Sequence, residues 1–447
     1  MSDSTVTAGP KVKLGLRDVT LLTIACVMGS RWIPAAAHSG PGSVTLWLAA
    51  AVLFAAPLAS ATGALSVKYS RSAGGLYAWT RGDFGPWHGF LCFWVYWIGI
   101  AFLLPTAALF YMGAGFAALG PKYAHLADNR YWLLAAALAA IWVALGTNLR
   151  GVDVGKWTEN IGAGACVVLG LALVVLAVAV GAKRGSATHI HVLPKWDWDT
   201  VNFWSNIAYA LSGVEMAAMM SAEIRDPART LPRAGWIASG VATVFYMVTT
   251  VAMLVLLRPE NISELNGFAE VGQSAGTALG AWWIAPLLAL LVVVSAVGQF
   301  GGTGTTVSRL PFAAGVDNLL PSAFGRLHPR WGTPHISILT FGAVASFLLL
   351  IFQLGDSLRA AYQEMISLMV ITGFLPYLYI FGSAWKAGKR VSAISGTAIT
   401  LLAILCSLVP TEAISSVWLF ESKIAAGTLA VIASAWLVYR RAGKSAK

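Results

Sequence analysis

About a dozen apolar stretches, each long enough to cross a bilayer, follow one another along this chain. They fall at about 18–37, 43–66, 87–118, 131–147, 158–182, 201–222, 235–257, 280–312, 335–353, 361–382, 392–410 and 423–440. Covering about 30 Å of hydrocarbon takes roughly 20 helical residues. Lipid accepts only backbone whose polar groups are satisfied internally. The chain is 57% hydrophobic and 11% charged, where a soluble domain carries about 25% charged residues. The expected fold is therefore an all-α integral membrane protein of about 12 transmembrane helices.

The formal charge of +11 has a membrane explanation and needs no nucleic acid, because basic residues collect in cytoplasmic loops. With the N-terminus inside, most of the 30 Lys and Arg fall in inner segments. The outer segments hold Lys122, Arg130, Lys183, Arg184, Lys195, Arg258, Arg359 and Lys423. Both termini are expected in the cytoplasm, in a plasma (inner) membrane. The start, Met1 to Lys13, is polar and without a cleavable signal sequence. Cys26, Cys92, Cys166 and Cys406 lie in apolar runs without ligand spacing, so neither disulfides nor a metal is expected. His189, His191 and Asp197 read as a solvated outer loop, and 258–277 as an outer loop with short helical pieces. No cofactor is expected.

Two of the spans are interrupted. Met28-Gly29-Ser30-Arg31-Trp32-Ile33-Pro34 breaks the first, and Tyr209-Ala210-Leu211-Ser212-Gly213-Val214-Glu215 breaks the sixth. Broken helices at corresponding places in two halves mark the binding site of an inverted-repeat transporter. Freed amides at one half-helix end suit a carboxylate, and freed carbonyls at the other suit a cation or ammonium. An acidic group at mid-membrane costs about 2.5–3.5 kcal/mol even on the cheaper scale. Glu215 therefore needs a partner, a proton or a water-filled cavity. Arg31 cannot shed its charge, and its readings are contact with a substrate carboxylate, a pair with Glu215, or snorkelling.

Four motifs in order carry a family resemblance. They are Met28-Gly29-Ser30; Gly74-Gly75-Leu76-Tyr77-Ala78-Trp79 with Phe84-Gly85-Pro86; Gly213-Val214-Glu215 with Glu223, Asp226-Pro227 and Leu231-Pro232-Arg233-Ala234; and Ser308-Arg309-Leu310-Pro311 with His328-Pro329-Arg330-Trp331-Gly332-Thr333-Pro334. From about Leu16 to Tyr439 the chain resembles the amino acid–polyamine–organocation (APC) superfamily of secondary transporters. The resemblance implies a 5+5 inverted-repeat core with broken helices 1 and 6, plus two extra helices. Its boundaries would be a tail at 1–14, the core at 15–382, the additional helices at 383–440 and a tail at 441–447. Substrate would sit against Met28, Gly29, Ser30, Arg31, Trp32, Ser212, Gly213 and Val214, with Tyr96 and Tyr209 as cavity aromatics. Glu215 would couple gating, and an eighth-span gate would fall between Phe300 and Thr303. Arg31 departs from the family's Gly-Ser-Gly, Pro34 comes early, and Ala163-Gly164-Ala165-Cys166 lacks the fifth-span lysine of some proton-coupled members.

The expected function is secondary active transport of amino acids by alternating access, proton-coupled or by exchange. No covalent chemistry is expected, since no HExxH, GxSxG or phosphate-loop motif falls within a span. The alternatives are a polyamine or other organic amine transporter, against which Arg31 argues by repulsion, and a non-transporting membrane nutrient sensor. The expected partners are an amino acid, protons as candidate coupling ions and lipid. The oligomeric state is left as monomer or homodimer.

Overall fold

The computed structural model describes residues 14–445 apart from 71, 73, 128, 190–192, 195–197, 353–357 and 411–415. The expected tail 1–13 and the loop residues His191 and Asp197 lie outside the described residues. The described chain is helical throughout, with a lone backbone bridge between Leu14 and Ile224.

In chain order the helices are α1 (Leu16–Val27), α2 (Trp32–His38), α3 (Ser43–Lys68), α4 (Leu76–Phe84), α5 (Pro86–Ala118), α6 (Arg130–Leu149), α7 (Val152–Arg184) and α8 (Trp198–Ala210). A tight 3-10 segment, Met216–Glu223, follows. Then come α9 (Pro227–Leu256), α10 (Gly267–Leu279), α11 (Ile284–Val307), α12 (Arg309–Val316), α13 (His335–Phe352), α14 (Leu358–Lys386), α15 (Arg390–Ser407) and α16 (Val417–Ser445).

Among the described residues, ten helices are individually long and apolar enough to span a bilayer, and the bent pair α1–α2, angled by 44°, makes eleven. The remaining expected span, 201–222, is split between α8 and the 3-10 segment, so neither piece reaches spanning length. Local chemistry explains several helix starts. Pro86 and Pro227 open α5 and α9, where a missing N–H costs nothing. The Asn129 side chain accepts the first amides of α6, from Tyr131 and Trp132. The segment 258–277, read as an outer loop with short helical pieces, holds all but the last two residues of the thirteen-residue α10. Glu270 in its first turn accepts from the Ser263 amide at 2.6 Å and hydroxyl at 2.8 Å, which holds the lead-in segment.

Small residues bring the central helices together. A Cβ on Gly162 of α7 would come within 2.1 Å of the Gly298 nitrogen of α11. Without a hydrophobic driving force between helices in lipid, such close backbone approach supplies the packing energy. In α5 83% of the most apolar window is buried and in α14 78%, against 17% in α16. So α5 and α14 stand at the centre of the bundle and the last span at its edge.

Candidate functional site

The first break opens between Val27 and Trp32, and a single side chain repairs most of it. The Gly29 amide donates to the Tyr246 hydroxyl at 2.8 Å, and that hydroxyl donates to the Val27 carbonyl at 2.8 Å. The Tyr246 ring is held by a parallel stack on Trp47 with centroids 4.4 Å apart. On the other side of the break, the Ser30 hydroxyl pairs with Ser295 at 3.1 Å, and Tyr111 donates to Gln299 Oε1 at 2.8 Å. A Cβ on Gly29 would lie 2.5 Å from Gln299 Nε2, so glycine lets the Gln299 side chain lie against the break without shifting. Arg31 has ordinary helical torsions, φ −57° and ψ −25°, so its position makes no demand for glycine. Pro34 falls in the first turn of α2, where its missing N–H is also free of cost.

The second break turns on Gly213, whose φ of 106° belongs to the left-handed half of the map that side chains avoid. The turn brings Glu215 back over its own backbone. Its Oε2 accepts the Gly213 amide at 3.2 Å, and its Oε1 accepts the hydroxyls of Tyr96 at 2.5 Å and Tyr377 at 2.8 Å. The side chain is fully buried, and these three donors supply the partners that a carboxylate in this setting requires. The two breaks touch: a Cβ on Gly213 would meet the Cys26 carbonyl and a Val27 methyl at 3.5 Å.

A narrow cavity of about 30 Å³ lies between the breaks. Of the residues singled out from sequence, Trp32, Tyr96, Tyr209, Ser212, Gly213 and Thr303 line it. Met28, Gly29, Ser30, Arg31 and Val214 do not, although all are buried. Phe300 is also off the cavity: its ring packs edge-on against Tyr111 at 5.6 Å, and Gln299, one position earlier on α11, takes the cavity-facing place. The expectation that the breaks leave amides free for a ligand is corrected at Gly29 and Gly213. Tyr246 and Glu215 already hold those N–H groups. An Arg31–Glu215 pair is likewise not formed. Arg31 is 3% exposed, which also rules out snorkelling, and Glu215 spends its oxygens on the two tyrosines and Gly213.

Sequence reasoning missed Tyr246, Gln299, Tyr377 and Tyr111. A usable signal existed: each is a polar side chain well inside an apolar span, away from the interface where tyrosine is usually placed.

At one end of the bundle lies a second, larger space of about 560 Å³. The 3-10 segment forms the partition, with Met216 facing the narrow cavity and Met219 and Met220 facing the larger one. Three 3-10 residues rise ~6 Å, so the wall is thin. A buried ion pair stands at its rim: Arg309 Nε lies 3.0 Å from Glu223 Oε1, and Arg309 Nη1 donates to the Thr305 carbonyl at 2.6 Å. Asp317 accepts from both Tyr77, at 2.6 Å, and Arg81. Burial, reinforced by that carboxylate, pushes the Tyr77 phenol above its ordinary pKa. The Leu14 amide donates to the Glu223 carbonyl at 3.0 Å, and Arg225 returns a bond to the Leu14 carbonyl at 2.9 Å. The start of the described chain is thereby tied to the end of the 3-10 segment.

Comparison with known proteins agrees with this architecture. A family model described as amino acid permease matches residues 14–436. An uncharacterized transporter of Legionella pneumophila is 24% identical across 96% of this chain and 97% of its own length. The probable agmatine/putrescine antiporter AguD of Lactococcus lactis is 25% identical, covering 85% of this chain and 80% of that protein. The glutamate/serine transporter AimA of Bacillus subtilis is 25% identical, over 81% and 69%.

Proposed function

The chain belongs to the amino acid permease family, a multi-pass membrane transporter and not an enzyme, and from that premise we propose that it carries an amino acid by alternating access. The observation that carries this reading is the meeting of two broken helices at a cavity beside a buried carboxylate. Opposed half-helices can tilt independently, so one packed site is exposed to either side in turn. We place the 560 Å³ vestibule on the cytoplasmic side of a plasma membrane, because the flanking loops carry the basic excess. Both termini then lie inside, and the conformation is closed outward and thinly walled inward.

In this reading substrate binds among Trp32, Tyr96, Tyr209, Ser212, Gln299 and Thr303. Glu215 ties three elements together through Tyr96 on α5, Tyr377 on α14 and its own break. A proton on its carboxyl would add a donor where two hydroxyls already donate, and so loosen that junction. This supports proton-linked gating, or exchange in which a second substrate resets the same junction. The ten-helix core would comprise residues 15–382, with α15 and α16 as additions.

The test is uptake of labelled amino acids into proteoliposomes holding the purified chain, with and without an inward proton gradient or internal unlabelled substrate. Saturable uptake that one of the two drives is the expected result. Binding without uptake would favour a sensor. Uptake of putrescine or agmatine in preference to every amino acid would favour the amine reading.

A further inference from the structure

Arg31 is the one strong charge among the residues of the first break, and the cavity described above leaves it unused. The residue is 3% exposed. Its neighbours are all neutral. Nη1 donates to Thr106 Oγ1 at 2.9 Å, Nη2 faces the Met369 sulfur at 3.3 Å, and the cation lies over the Trp32 ring at 4.1 Å. The Tyr362 hydroxyl stands beside it. Nε has no partner at all. Guanidinium offers five N–H donors, and a thioether is a weak acceptor, so the hydrogen-bonding capacity is far from filled. Among the described residues no carboxylate forms an ion pair with it. Glu264, whose field reaches Tyr362, is engaged by Gln363 Nε2 at 3.1 Å.

Two helices fix where this charge lies along the bundle. On α5, Thr106 beside Arg31 is ~15 Å beyond Tyr96 beside Glu215 at 1.5 Å per residue, and on α14 Met369 is ~12 Å beyond Tyr377. Both displacements run away from the 560 Å³ vestibule. Arg31 and Glu215 are therefore stacked along one axis. Trp32 and Tyr209, in edge contact at 6.2 Å, stand by the cavity on the Arg31 side.

We propose that Arg31 is an anion subsite on the outer side of the transport cavity, and that it selects substrates bearing net negative charge, namely amino acids with a carboxylate side chain. This rests on the transporter reading given above. Arginine keeps its charge, and a buried cation without a counter-ion is costly in a membrane. A substrate carboxylate supplies the missing counter-ion and displaces only a thioether and a ring face. The same charge repels diamines. Trp32, one residue on and in contact with both Arg31 and Tyr209, is the side chain that must turn for the carboxylate to pass from subsite to cavity.

The test uses the detergent-purified full chain, with glutamate, aspartate, leucine, serine, putrescine and agmatine as probes in thermal-shift titrations and as competitors of uptake. Glutamate and aspartate are expected to bind wild type best, and the two amines are expected not to bind. Arg31→Gln, which keeps hydrogen-bonding groups and removes the charge, is expected to weaken glutamate and aspartate by at least about tenfold and to leave leucine and serine within about threefold. Arg31→Lys is expected to recover part of the acidic preference. Wild type that binds leucine, serine or the amines but not the acidic pair overturns the subsite and leaves the transporter reading intact. So does an Arg31→Gln protein with unchanged glutamate affinity. If no probe binds or is taken up, the transporter reading falls, and this one with it. Should Arg31→Gln fail to fold, the wild-type panel and Arg31→Lys still decide the matter.

Discussion

The hydroxyl of Tyr246 lies 2.8 Å from the amide of Gly29 and donates onward to the Val27 carbonyl at the same distance. One side chain from α9 thus closes the backbone gap that the first break opens. A helix can be interrupted at membrane depth only where something replaces its lost hydrogen bonds, and here the replacement is a phenol.

Removing that hydroxyl with Tyr246→Phe keeps the stack on Trp47 and leaves the Gly29 N–H and the Val27 C=O only the tight-turn bond between them, at 3.1 Å. A buried group left wholly unpaired costs about 1–3 kcal/mol, so a loss at the low end of that range is expected. A clearly lower thermal unfolding temperature in detergent is expected. An unchanged midpoint would mean that another group, or water, holds the break.

Glu215→Gln places an amide where two tyrosine hydroxyls and one backbone amide converge on carboxylate oxygens. The amide retains one acceptor atom and brings donors to the other. Uptake is expected to fall at least about tenfold, a loss of about 1.4 kcal/mol in transition-state terms, and its dependence on external pH is expected to flatten. A retained pH profile would remove Glu215 from proton coupling. Tyr377→Phe, which takes away one donor and leaves the charge, is expected to give a smaller loss and keep the profile.

Gly29→Ala forces its new methyl to within 2.5 Å of the Gln299 amide nitrogen unless that group moves. The obstacle is the end of a flexible side chain, so stability is expected to change by less than about 1.5 kcal/mol. Transport is expected to drop sharply, because Gln299 would be displaced into the cavity. Gln299→Ala in the same chain should restore part of what Gly29→Ala removes, and strictly additive effects in the double variant would refute the clash.

Breaking the Glu223–Arg309 pair by Glu223→Gln leaves a buried guanidinium without its counter-charge, with one amide oxygen, the Thr305 carbonyl and the Ser308 hydroxyl as acceptors. Loss of one partner from a buried pair costs about 3–5 kcal/mol. The pair lines the vestibule and its side chains are 9% and 11% exposed, which puts the expected loss at the lower end. Thermal unfolding measures it, and increased cysteine-reagent access to a Met219→Cys reporter would show that the wall has opened.

Much of the architecture was legible in the residue pattern. The apolar stretches, spaced by short polar loops, leave a helical membrane bundle as the one arrangement that satisfies their backbone. The Gly-Ser and Ser-Gly steps located both breaks, because glycine and serine in an apolar helix weaken it visibly. Trp32, Ser212 and Gly213 were also within reach, since each lies at or beside a break, whereas Tyr96, Tyr209 and Thr303 rested on the family resemblance.

What only the tertiary structure decided was which polar groups meet. Tyr246 and Gly29 are 217 positions apart in the chain, and Tyr377 and Glu215 are 162 apart. Nothing local to either residue encodes such a pairing. Along a helix, moreover, a change of one position rotates a side chain by about 100°, which is why Gln299 faces the cavity and Phe300 faces Tyr111. The surroundings of Arg31 were undecidable for the same reason: its charge is written in the chain, but the neutral shell of Thr106, Met369 and Trp32 exists only once α5 and α14 have packed beside the first break.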